Sequence, residues 1–273
     1  MGETGVTEKG KQKKGYRSVP LSAARRMLMA AVDCNTKNAI HCITEIDVSQ
    51  PLKLIREHAE YSGEKLSFTA YIVKCFAQAI EEHPEMNAFI KGRKLIVLDD
   101  INISVMVERD LGPEKIPEPV GIQKIQDKSL GQVHREIRHA QNVKGARQGE
   151  LTGSTWINRI PRFLMRSFIR IADKNIYMAR RYGKIAVTAV GMFSDSPMWF
   201  IPHGTATVML TVGSINSKIV KEGDEFISRE FLCITASFDH KVIDGAPAAR
   251  FMNTLTEIMR EGDLVEKELA KRV

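Results

Sequence analysis

Three intervening residues separate a histidine from an aspartate in Asp239-His240-Lys241-Val242-Ile243-Asp244-Gly245, a pairing suited to moving protons. The residues before it, Phe231-Leu232-Cys233-Ile234-Thr235-Ala236-Ser237-Phe238, are β-prone. Those after it, Ala246-Pro247-Ala248-Ala249-Arg250-Phe251-Met252, open a helical pattern with small residues that permit close packing. A strand that carries His240 to its end gives the imidazole a rigid mount. A general base needs that mount, because a small displacement of the proton acceptor costs much of the rate. Asp244 and Gly245 then turn the chain. Two uses of Asp244 stand side by side: it orients the imidazole, or it forms a salt bridge that only holds the turn. A satisfied histidine at a strand-to-turn junction is the plain alternative for a lone His. It explains the whole Asp-His…Asp-Gly…Ala-Ala-Arg-Phe string poorly.

These residues need elements to position them. A chain of 273 residues can bury a sizeable core in one domain or two small ones. With 43% hydrophobic and 27% charged residues it falls among soluble globular proteins. No apolar run is long enough to span a bilayer, and the N-terminus lacks an apolar signal core. Residues 1–16 read as a flexible arm and 17–273 as the folded domain. Cys34, Cys42, Cys75 and Cys233 have no C-x-x-C pairing, so neither a disulfide framework nor a zinc site is expected, and a reduced, cytoplasmic setting is. The net charge of +7 admits nucleic acid, an anionic membrane or a polyphosphate ligand. No nucleic-acid motif is present, and aromatic residues are too sparse for a stacking platform.

Periodicity places helices over 19–32 (with Ser22 as a cap), 49–61 (with Ser49 as a cap), 68–82, 129–143 and 246–260. In the third of these Phe68, Ile72, Phe76 and Ile80 fall in line, and His83-Pro84-Glu85 ends it. Strands are expected over 40–48, 88–90, 94–97, 101–107, 185–190, 205–212 and 231–237. The Pro-rich stretch 112–119 reads as a loop. Strands and helices mix without a regular βα repeat. This suits an α/β protein of the α+β two-layer kind, a mixed sheet with helices packed on one face.

The motif around His240 closely resembles the active-site signature of the dihydrolipoamide acyltransferases of 2-oxo acid dehydrogenase complexes. Their pattern is Asp-His-Arg-x-Ile-Asp-Gly, small residues, then Arg-Phe; Lys241 stands where Arg is usual. The likeness extends over about 19–259. It includes Val19-Pro20-Leu21-Ser22 with Arg25, Arg26 and Met27, then Thr44 to Val48 and Leu66-Ser67-Phe68-Thr69. His83-Pro84-Glu85-Met86-Asn87-Ala88 and Lys128-Ser129-Leu130 continue it. The resemblance implies the chloramphenicol acetyltransferase-like fold, a homotrimer, and a coenzyme A thioester as substrate with no metal. It implies acyl transfer to a dihydrolipoyl-type thiol or another small acceptor. His240 would be the base, Asp244 its supporting carboxylate, and Thr188 the hydroxyl that steadies the oxyanion. Thr188 falls on the family's serine within Gly183-Lys184-Ile185-Ala186-Val187-Thr188-Ala189-Val190-Gly191, a segment where Ala189 replaces an Asn. His203, in a His-Gly-Thr-Ala stretch replacing Asn-Pro-Pro-Gln, and His41, beside the family's substrate channel, are the substrate-binding candidates. In the resemblance, base and hydroxyl meet across a subunit interface.

Three departures shape the expectation further. The chain starts almost directly with the catalytic domain, so no lipoyl group is expected on it and a separate lipoyl carrier protein could serve it. An insertion over about 153–182 contains Trp156 and an amphipathic run in which Arg162, Arg166, Arg170 and Lys174 recur every four residues. It reads as an extra helix on the domain, as a lid that alters acyl specificity, or as a membrane-surface helix. Residues 261–273 are highly charged rather than apolar, which points to a trimer that assembles no further. A catalytically inactive trimeric scaffold that recruits partner proteins is the main alternative to an enzyme.

Overall fold

Nine buried residues on one helix set the layout. The computed structural model describes residues 23–34, 38–110, 115–142, 162–191, 194 and 196–270. Within it α3 (Phe68–Glu82) buries Tyr71, Ile72, Val73, Cys75, Phe76, Ile80 and three alanines. A helix apolar on nearly every side must be covered by several neighbours. Along with α2 (Ser49–Ser62), α4 (Leu130–Asn142) and α7 (Gly245–Glu261) it covers a six-stranded sheet. The strand order is β1 (Ala39–Asp47), β8 (Glu225–Asp239), β7 (Val208–Glu222), β6 (Ile185–Ala189), β4 (Ile103–Asp110) and β5 (Lys115–Ile122). The β7–β6 and β6–β4 pairs are parallel and the others antiparallel, so the sheet is mixed. A separate hairpin joins β2 (Ala88–Lys91) to β3 (Lys94–Val97).

Side chains alternate across a strand, which splits each into two sets. Leu232, Ile234, Ala236 and Phe238 of β8 join Val208, Leu210 and Val212 of β7 and Ile185 and Val187 of β6 in the helix-covered core. Phe251 of α7 lies at its centre. Phe76, Phe238 and His83 meet its ring edge-on at 5.8, 5.9 and 5.7 Å between centroids. The Tyr71 hydroxyl donates to the Met259 carbonyl at 2.8 Å, and burial pushes its pKa well above the usual phenol range.

Several expectations change. Residues 115–122 form β5 rather than a loop. Pro117 and Pro119 are tolerated because β5 is an edge strand, paired among the described residues with β4 alone, so two N–H groups can be missing from the open side. The β7–β8 hairpin runs on to a turn at Gly223 (φ 62°), well beyond 212 and before 231. A bulge between Val212 and Ile215 breaks the alternation there and hides the strand from a period-two reading. Ser49 is the first residue of α2, not its cap; its N–H and hydroxyl both donate to the Asp47 carboxylate, at 3.0 and 2.7 Å. Burial raises the Asp47 pKa, but these bonds and the Arg229 guanidinium at 2.9 Å outweigh it, and the carboxyl sits below its ordinary range.

The charged stretch after 260 is folded over most of its length. Gly262 (φ 82°) closes α7, and α8 (Asp263–Ala270) buries Val265 and Glu268. The Glu268 carboxylate accepts from the Gly131 amide at the start of α4, at 3.2 Å. The expected arm over 1–16, Ser22, Trp156 and residues 271–273 lie outside the described residues. Of the insertion, α5 (Arg162–Asp173) and α6 (Ile176–Tyr182) are described. Lys174 falls in the link between them, and Asn175 caps α6 by accepting from the Tyr177 amide at 2.8 Å. No helix among the described residues is long and apolar enough to cross a membrane.

Candidate active site

Backbone hydrogen bonds build the corner that carries His240. Where β8 ends, the Asp239 amide donates to Thr207 O at 2.9 Å and the His240 amide to Asn38 O at 2.8 Å. The amides of Val242 and Ile243 then donate to Asp239 O at 2.9 and 3.0 Å, closing a tight turn into α7. The imidazole Nδ1 lies 3.1 Å from the Ile243 carbonyl oxygen. A carbonyl can only accept, so Nδ1 is the donor in this contact, which in a neutral ring leaves Nε2 as the lone-pair nitrogen. Asp244 Oδ1 stands farther off, at 3.5 Å from Nδ1, and its side chain is 84% exposed. In the single chain the Ile243 carbonyl is therefore the nearer orienting group, and Asp244 supplements it.

Thr188 lies on β6, on the sheet face away from the helices. It is Cα partner of Thr211 on β7, which in turn partners Thr235 on β8. Paired residues in adjacent strands point to the same face, so three threonines form a row across the sheet. The Thr211 and Thr235 hydroxyls are buried and have no hydrogen-bond partner among the described residues. Threonine is ordinary in strands, and only the register aligns the row; the sequence alone carried no signal for Thr211 or Thr235.

The structure does not bring Thr188 to His240 within one chain. Thr188 is level with Thr235, five residues before His240 and two strands away. At about 4.8 Å per strand and 3.3 Å per residue the separation is roughly 19 Å. The two could share a reaction only if a second chain supplies one of them.

His41 and His203, by contrast, are brought together. They line a cavity of about 140 Å³ with Ala39, Met209, Ser237 and Asp239. His41 Nδ1 is 2.7 Å from Ser237 Oγ across the β1–β8 ladder. The segment holding His203 is strapped over this face: the Met198 amide donates to Ser214 Oγ at 2.9 Å and the Trp199 indole to Thr44 O at 3.0 Å. Because Asp239 precedes His240, the cavity abuts the corner that carries the imidazole.

Three of the four thiols are poor competing nucleophiles. Burial pushes the Cys42, Cys75 and Cys233 thiols up, and the reactive form is the thiolate. Among the described residues no group of three or more His, Cys, Asp or Glu is placed to hold a metal ion.

The sequence profile described as 2-oxoacid dehydrogenases acyltransferase (catalytic domain) matches residues 13–156 and 180–265. The chain belongs to this family. The match skips 157–179, where α5 and the start of α6 lie. Among curated acyltransferase relatives is the lipoamide acyltransferase component of the branched-chain alpha-keto acid dehydrogenase complex of Bacillus subtilis. It is 23% identical over 256 residues, 91% of this chain and 53% of that protein. The chain spans about half the length, or less, of the first curated relatives it matches. The fold is that of solved acyltransferase cores. The cubic core of the pyruvate dehydrogenase multienzyme complex superposes with a TM-score of 0.69 at 19% identity, covering 97% of this chain and 98% of that one. Azotobacter vinelandii dihydrolipoamide acetyltransferase does so with a TM-score of 0.69 at 18% identity and the same coverage. That structure addresses the role of a serine, a histidine and an asparagine in the enzyme's catalytic mechanism. There the histidine follows the serine by 52 positions and precedes the asparagine by four, the spacing of Thr188, His240 and Asp244 here.

Proposed function

We propose that the chain is an acyltransferase that moves an acyl group between coenzyme A and a thiol of dihydrolipoyl type, or another small acceptor. The observation that carries this reading is the placement of His240 at the end of β8, in a turn locked by backbone hydrogen bonds and with its Nδ1 held against the Ile243 carbonyl. In the reaction Nε2 takes the proton from the attacking thiol. The sulfur adds to the thioester carbonyl, and the oxyanion that forms accepts a hydrogen bond from Thr188. Collapse breaks the C–S bond to the departing thiol, which recovers the proton from the imidazolium. No acyl-enzyme and no metal enter. The residue spacing shared with the Azotobacter vinelandii protein supports these two roles and gives Asp244 the third position.

The separation of Thr188 from His240 calls for a second subunit, and the family resemblance makes the assembly a homotrimer in which each site takes its base from one subunit and its hydroxyl from the next. With α8 folded back onto its own chain, we read the assembly as ending at the trimer. The cavity at His41 and His203 receives part of the substrate, and a separate lipoyl-bearing carrier in the cytoplasm would deliver or accept the acyl group. Beside Thr188, the buried and unpartnered hydroxyl of Thr211 is the candidate positioning residue: a rotation that let it donate to Thr188 Oγ1 once substrate is bound would aim the Thr188 proton at the oxyanion.

The test is thioester turnover with an acyl-CoA panel and free dihydrolipoamide. His240→Ala should lower kcat by roughly 10² to 10⁴-fold. Mixing His240→Ala with Thr188→Val subunits should restore part of the activity, because some interfaces then pair an intact histidine with an intact threonine. Wild-type protein that neither turns over thioesters nor binds coenzyme A would overturn the reading.

A further inference from the structure

Residues 162–182 contain six cations, Arg162, Arg166, Arg170, Lys174, Arg180 and Arg181, and one acid, Asp173. That acid is already engaged: Asp173 Oδ1 is 2.7 Å from the ammonium of Lys184, a buried residue whose Nζ also lies 5.0 Å from the centre of the Phe89 ring. Arg170, Lys174 and Arg180 are exposed. The fully exposed charges of this stretch are therefore all positive among the described side chains.

Their apolar side chains are only half covered. Met165 and Ile169 pack against Ala30 of α1 (Ala23–Cys34). Leu164, Phe168 and Ile171, at spacings of four and three, share a neighbouring stripe and stay open to solvent. Ile176 and Tyr177 continue the patch on the first turn of α6; Ile171 and Tyr177 are each 69% exposed. A monomer seldom shows a contiguous patch of this kind without using it.

The patch also has a defined place. Arg166 lies against α1, with Cys34 Sγ donating to its carbonyl at 3.4 Å and its Nε 4.0 Å from Asp33 Oδ2. At the other end Asp173 is tied to Lys184, the residue just before β6. Asn38, Thr207 and Lys184 precede β1, β7 and β6 at the same end of the sheet where β8 delivers His240, and the Thr207 amide donates to Lys184 O. So the C-terminal end of α5 is anchored at that end of the sheet.

We infer that α5 and the start of α6 dock this end of the protein on an anionic membrane surface. Leu164, Phe168, Ile171 and Tyr177 would enter the headgroup boundary, and Arg170, Lys174 and Arg180 would meet the lipid phosphates and carboxylates. An amphipathic helix with bulky apolar residues on one side and only cations beside them is the pattern such surfaces bind. An acidic protein would answer the cations but leave the aliphatic and aromatic stripe without a partner. The inference does not depend on the acyl-transfer reading.

The test is co-sedimentation of the full chain with vesicles of equal parts phosphatidylserine and phosphatidylcholine, beside vesicles of phosphatidylcholine alone. The expected result is binding to the first and little to the second. Arg170→Glu with Lys174→Glu should weaken binding by at least about 30-fold. Phe168→Ser with Ile171→Ser should weaken it by roughly ten-fold or more while circular dichroism and thermal melting stay as in the wild type. Failure to bind phosphatidylserine vesicles overturns the inference. So does equal binding to both vesicles, binding to polyglutamate but not to vesicles (an acidic protein site), or a fall in oligomer mass in the Phe168–Ile171 variant (an interface between copies).

Discussion

The two faces of the six-stranded sheet are built to opposite rules. The helix-covered face is closed and largely apolar, with Phe251 ringed by Phe76, Phe238 and His83. The other face carries His41, Ser237, Thr188, Thr211 and Thr235, and two of these hydroxyls are buried without partners among the described residues. Burying such a group costs free energy, typically about 1–3 kcal/mol. One face thus supplies stability, and the other gives some of it up to hold buried polar groups.

Substitutions on each side should keep these roles apart. Phe251→Ala should have the largest effect on the fold, about 3–5 kcal/mol by urea unfolding, because it empties the centre of the core. An equal loss from Thr188→Val would break the comparison. That change should instead leave the unfolding midpoint nearly in place and lower kcat by roughly 10² to 10³-fold. Thr211→Val should sharpen the contrast: kcat falls by less than about ten-fold, KM holds, and Thr211→Ser restores the rate, while stability rises or stays level because an orphaned hydroxyl is gone.

The smallest effect concerns pH. His134 Nδ1 accepts from the Ser67 amide at 2.9 Å, while Nε2 faces Glu64 at 3.8 Å. Burial lowers its pKa, against the opposing pull of Glu64, so the folded state prefers the neutral ring. The unfolded chain then binds more protons in the window between the two values. This contribution is fully present above the unfolded value, about 6.5, and is lost as pH falls through the lower folded value. Urea midpoints at pH 7.5 and 5 check it: His134→Asn, which keeps an acceptor for Ser67, should show the weaker pH dependence.

Much of this was legible in the residues themselves. The helical period of 68–82 and the continuous apolar strands identify the core layer, because packing against one layer imposes one periodicity. His240 was legible because a strand, a turn and a helix start meet at one motif. Residues governed by distant partners were not. The prolines of β5 look like loop punctuation until the strand proves to be an edge. The Val212–Ile215 bulge interrupts a hairpin that continues past it, and α8 reads as a charged tail because only Val265, Glu268 and a few neighbours face inward. Asp244 competes for an orienting role that a backbone carbonyl, silent in any sequence, already fills.

Pro117 and Pro119 have a consequence beyond their own strand. A sheet can recruit a foreign strand only along an edge that still offers backbone donors and acceptors. On β5 two donors are missing in alternate positions, all on one side, so a guest strand would find gaps where its carbonyls need partners. The opposite edge, β1, has no proline in its nine residues. The sheet is therefore polar in its sociability: one border is sealed against growth and the other open, which disfavours the open-ended stacking of copies that turns an enzyme into an aggregate.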